Sequence, residues 1–175
     1  MRLLCNYIDN GGGGPARFEV VVSAPVVFMT DYGHPLTGDP SAAPLKFGED
    51  TYTAHRFFAL EVESGDEGTF TDFKIWGSTS SPSISLIRTT PYTQLGGIDE
   101  VASLSPTDGN YNTLYYNAEA LPTAEGSALL FDTNTLQVGG TTKTKYIGVA
   151  VKLLENPSSS STETITLNFS WRQTL

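Results

Sequence analysis

An all-β fold, a single antiparallel β-sandwich of jelly-roll or immunoglobulin-like type with long loops, follows from three observations on this chain. Along residues 162–171, Ile165, Leu167, Phe169 and Trp171 fall on one parity, while Thr164, Thr166, Asn168 and Ser170 fall on the other. Successive side chains of a strand point to opposite faces, so this segment has one apolar and one hydroxyl-rich face. An antiparallel sheet with one side on a core reads this way. The second observation is composition: 22 Thr, 17 Gly and 10 Pro among 175 residues favour strands and turns and break helices. The third is that no long segment carries the apolar spacing of an amphipathic helix.

Taken in order, residues 3–8 read as a short first strand. Gly11, Gly12, Gly13 and Gly14 with Pro15 read as a hinge after it. Residues 17–23 and 26–29 read as strands joined at Pro25, and residues 30–50 as a long loop with turns at Gly33 and Gly38. Residues 52–63 form a strand with Phe58, Leu60 and Val62 inward and Glu61 and Glu63 outward. The turn at residues 64–68 returns the chain into residues 70–76, so the two segments are expected to pair as a hairpin. Residues 83–88, 128–131 and 145–153 supply further strands, with residues 113–117 as another and 98–103 as one helical turn. The expected core is Phe58, Leu60, Val62, Phe73, Ile75, Ile147, Val149, Val151, Ile165, Leu167 and Phe169.

The length suits one domain, and hydrophobic content of 39% can support a real core. We divide the chain into an N-terminal arm with its glycine hinge, residues 1–16, and the sandwich, residues 17–175. In the arm, Leu3, Leu4, Tyr7 and Ile8 are apolar enough to need cover, yet the hinge uncouples them from the sandwich. The arm is therefore expected to add a strand to an exposed sheet edge of an adjacent copy or of another protein.

A net charge of −9 with only ten Lys and Arg argues against a nucleic-acid partner and against an anionic membrane. No apolar run approaches the roughly 20 residues of a membrane-spanning helix. Cys5 is the only cysteine, so no intramolecular disulfide forms. The opening residues through Cys5 lack the basic and apolar regions of a signal sequence, which points to synthesis in the cytoplasm.

Asp31, His34 and Asp39 share one loop at a spacing that could ligate a metal, with His55 as a fourth member. Turn-rich loops collect Asp, Gly and His for conformational reasons, and we expect no metal there. Glu61, Glu63, Asp66 and Glu67 cluster at the turn after residue 60, where paired carboxylates could bind calcium or attack a glycosidic bond. Solvated charge at a strand end accounts for them as well, and the alternation of a calcium loop is missing. The sequon at Asn168, Phe169 and Ser170 lies inside a strand and is read as chance. No catalytic residue and no cofactor are expected. Trp76, Tyr92, Tyr111, Tyr115 and Tyr116 are the aromatics expected at an interface or under a sugar, beside Leu3, Leu4, Tyr7 and Ile8 of the arm.

An acidic, Thr/Ser-rich sandwich without disulfide, signal peptide or catalytic motif, carrying a Gly-hinged arm, resembles the auxiliary virion proteins of tailed bacteriophages and related viruses. Capsid decoration proteins are the type in view. That resemblance implies a non-enzymatic virion protein, made in the host cytoplasm, that bridges shell subunits. Its implied partners are further copies of itself, with a trimer among the options, and a major capsid protein. The alternatives are a tail or fibre component and a carbohydrate-binding β-sandwich module with a glycan as partner.

Overall fold

The computed structural model describes residues 1–9, 16–28, 34–37, 53, 55–89, 91, 119–154 and 163–175. Among these, nine strands form two antiparallel sheets: β1 (Arg2–Asp9), β2 (Ala16–Val21), β3 (Arg56–Glu61), β4 (Thr69–Thr79), β5 (Ile84–Arg88), β6 (Glu119–Ala120), β7 (Leu129–Asp132), β8 (Ile147–Leu153) and β9 (Ile165–Thr174). One sheet has six strands in the order β2-β1-β3-β8-β5-β6, and the other has three in the order β7-β4-β9. The sheets face each other across one core, as a β-sandwich does. The long loop expected at 30–50 lies mostly outside the described residues, and the expected strand 113–117 and helical turn 98–103 lie wholly outside them.

The core is built from alternate residues of both sheets. Cys5, Phe58, Leu86, Ile147, Val149 and Val151 come from the large sheet, and Phe70, Phe73, Ile75 and Phe131 from the small one. Rings of Phe58 and Phe169 meet at 6.0 Å between centroids and so link the two sheets. Ile165, Leu167 and Phe169, expected inside, pack against this core but are only partly buried. The central strands β3 and β8 are also buried on their second face, where Phe57, Ala59 and Ala150 lie. Strands covered on both sides read as continuous apolar runs, which is the pattern at residues 57–60 and 149–151.

Buried threonine hydroxyls complete the hydrogen bonding of this sheet. Oγ1 of Thr53, Thr89 and Thr144 accepts the amides of Val151, Gly148 and Leu60 at 3.0, 2.9 and 2.9 Å. Each pairs a buried amide that has no strand partner at that point, and orphaned buried amides are costly. Part of the Thr content is thus structural rather than surface polarity.

Two expectations are corrected here. The turn after Val62 does not close a hairpin: β3 pairs with β1 and β8, whereas β4 pairs with β7 and β9. Phe58 and Leu60 face Phe73 and Ile75 across the core instead of lying beside them, and alternation alone does not distinguish these arrangements. The N-terminal segment is not a separate arm. β1 is an interior strand of its own sheet, paired with β2 from Leu4↔Val21 to Asp9↔Ala16 and with β3 from Arg2↔Glu61 to Asn6↔Phe57. The glycine run lies outside the described residues and joins two strands that pair with each other.

β4 carries an irregularity that reshapes the core. Its register against β9 shifts between Thr71 and Lys74, so Asp72 and Phe73 stand opposite Trp171. Asp72 takes φ = 57°, a left-handed conformation that Asp tolerates better than most residues. This bulge lets Phe70 and Phe73, three positions apart, both point inward.

Candidate functional site

The ionisable groups of the described surface are largely paired along the strands. Lys143 Nζ donates to Glu19 Oε1 at 2.7 Å, and Tyr146 OH donates to Glu19 Oε2 at 2.9 Å. Desolvation alone would push Glu19 up, but the hydrogen bonds from Lys143, Tyr146 and Asn6 outweigh it and bring the carboxyl below its usual range. Arg2 Nε donates to Glu61 Oε2 at 2.8 Å, and Arg88 pairs with Glu119.

The carboxylates near the turn after β3 are held in the same way. Asp66 lies 2.6 Å and Glu63 3.3 Å from the Met1 ammonium. Asp66 Oδ2 also accepts the Glu63 amide at 2.8 Å. The hydrogen bond from the ammonium, then that from the amide, hold Asp66 below the usual carboxylate range. Glu67 is exposed. The cluster is therefore a set of ion pairs locking β1 to the end of β3.

Among the described residues no group of three or more His, Cys, Asp or Glu is placed to hold a metal ion. Asp31 and Asp39 lie outside the described residues. His34 stands edge-on to Tyr7 at 5.0 Å, and its Nδ1 accepts the Leu36 amide at 3.2 Å. His55 is buried beside Phe57, and desolvation pushes its imidazole down to about 3. Burial pushes the Cys5 thiol up to about 12, so it stays protonated near neutrality. Among the described residues no helix is long and apolar enough to cross a membrane.

The residues expected at an interface do not come together. Leu4 and Tyr7 are buried inside their own chain, and Leu3 packs against the core. Tyr7 stacks on Phe18 at 5.7 Å. Ile8 is in β1 opposite Arg17. Tyr92, Tyr111, Tyr115 and Tyr116 lie outside the described residues. Trp76 is half-buried on the outer face of the small sheet, opposite Asn168 and on the same face as Lys74 and Ser78.

Trp76 is the nucleus of the best candidate surface. Leu130 of β7 pairs with Lys74 on this sheet and is 44% exposed. At the bulge, Asp72, Lys74, Ser170, Trp171 and Arg172 line an open cleft of about 330 Å³. Arg172 Nε lies 3.4 Å from Asp72 Oδ2 across it, and Trp171 is 40% exposed. Sequence reasoning placed Trp171 on the apolar face of its strand and so missed that it lies beyond the core. The position of Leu130 was also missed, because β7 has only four residues on which to read a parity.

No family model, no curated protein and no solved structure matches this chain.

Proposed function

We propose that this chain is a non-enzymatic structural protein of a virion, a decoration protein that binds the outside of a capsid shell and bridges its subunits. The observation that carries the reading is the division of labour on the surface. Described carboxylates such as Glu19, Glu61, Glu63 and Asp66 are engaged with cations, while Leu130, Trp76 and Trp171 leave apolar area on the small sheet. Contact between proteins uses such aromatic and aliphatic groups. The net charge of −9 favours an outer position over one lining packaged DNA. The test is mass spectrometry of purified virus particles, followed by rebinding of the isolated protein to shells stripped of it. Presence in the particles and saturable rebinding support the reading, and absence from them overturns it.

A second reading rests on Trp76 alone. A half-buried indole on an open sheet face, flanked by Asn168 and Lys74, is a platform on which a sugar ring can stack. A glycan array with the wild type and Trp76→Ala separates it from the first, since binding lost in the variant would favour the carbohydrate module.

A further inference from the structure

We infer that the free edge of β9 pairs with the same edge of a second copy, joining two small sheets into one continuous sheet of six strands. Among the described residues β9 pairs only with β4. Four of the described strands stand at sheet edges, and they are not alike. β2, β7 and β6 run six, four and two residues, whereas β9 runs ten. Edge strands are normally protected by shortness, charge, proline or a bulge. β9 is long and holds no proline, and its single charge, Arg172, is engaged by Asp72.

The hydrogen-bond phase says which groups the edge offers. The Gly77 amide donates to Pro122 and the Phe70 amide to Leu136, both away from β9. Their cross-strand partners Leu167 and Gln173 are therefore in non-hydrogen-bonded pairs, with their own amides turned away from β4. Every second residue follows, so Ile165, Leu167, Phe169, Trp171 and Gln173 present N–H and C=O groups to the open side. Three of these five, Ile165, Leu167 and Phe169, pack against the core, and Trp171 continues their parity beyond it. Ile165, Leu167 and Phe169 are only partly buried because nothing among the described strands flanks them there.

This phase makes the strand complementary to itself. Two copies running antiparallel must pair odd residues with odd residues to form hydrogen bonds. Apolar side chains then meet apolar ones, and Thr166, Asn168 and Ser170 meet their own kind on the other face. With the two-fold axis near Asn168, Arg172 never faces Arg172. The chain is acidic overall, yet no side-chain carboxylate lies between Ile165 and Leu175. Two copies that repel each other elsewhere can approach along this edge. A two-fold contact of this kind gives a dimer rather than a trimer.

The pairing does not depend on the virion reading, and sedimentation of the purified protein alone decides it. Wild type is expected at twice the 18.8 kDa chain mass across the micromolar range. Trp171→Pro removes an amide that β4 does not use, so it should give a folded monomer. Trp171→Lys, which puts a cation into the apolar row, serves as the second variant and should also be monomeric. A wild type that stays monomeric overturns the inference, as does an oligomer that survives in both folded variants.

Discussion

Gly77 of β4 lies against Leu86 of β5, so close that a methyl group added to the glycine would sit 2.6 Å from the leucine Cδ1. The contact joins the two sheets, and Leu121 and Leu167 close around it at 2.9 Å each. A residue without a side chain is needed because these three leucines leave no room for a Cβ. Gly77→Val should force these leucines off their rotamers and cost about 1–3 kcal/mol. Chemical denaturation of the pair of proteins checks this, with a lower midpoint and an unchanged slope as the expected result.

Asp72 gives a second, opposite-signed pair of variants. A left-handed residue other than glycine costs roughly 1–2 kcal/mol, most of all when β-branched. Asp72→Gly relieves that cost and loses only a solvent-exposed ion pair to Arg172, so stability should hold or rise. Asp72→Val should lower the melting temperature, because the bulge that turns Phe70 and Phe73 inward becomes strained. Equal melting temperatures for the two variants would show that the bulge is not held by this residue.

His55 sets a pH window. Its folded imidazole, desolvated beside Phe57, titrates at about 3 against an ordinary value of 6.5. Between those values the unfolded chain takes up a proton that the folded chain refuses, so stability falls as the pH is lowered through the window. Glu19 and Asp66, both held below the usual carboxylate range, act in the same direction at its lower end. His55→Phe should flatten the decline between neutrality and the carboxylate range while leaving the rest. Melting temperatures in a buffer series from neutral to acid read this directly.

Removal of residues 1–9 should abolish cooperative unfolding. β1 carries buried Leu4 and Cys5, and it stands between β2 and β3, so its loss cuts β2 from the sheet. A cooperative melting curve for the truncated protein would show that the sandwich closes without β1.

How much was legible in the sequence can be judged from these same residues. The parity of Ile165, Leu167 and Phe169 in β9 is plain because these side chains meet the core while Thr166, Asn168 and Ser170 lie on the other face. Phe70 was not expected in the core beside Phe73, since a bulge at Asp72 breaks the period-two rule without leaving a glycine to announce it. The turn at 64–68 marks where the chain reverses but not whether it stays in one sheet, hence the mistaken hairpin. Leu4 and Tyr7 are buried and Leu3 packs on the core, with the cover coming from their own chain. A glycine run reads the same whether it frees an arm or joins two paired strands, so the source of that cover was hidden. The candidate surface was visible only through Trp76, because which edge lies open depends on strand order.

The pairing of β4 with β9 spans a sequence separation of 86 residues at its closer end, Thr79↔Ile165, and 105 at the other, Thr69↔Thr174. β4 is the middle strand of the small sheet, so that sheet cannot close until residue 174 has left the ribosome. Until then Phe73 and Ile75 must wait with one flank unpaired, while β1 and β2 can already meet locally. Ring closure over such spans is entropically costly, so the pairing of β4 with β9 is expected to be a slow step of folding.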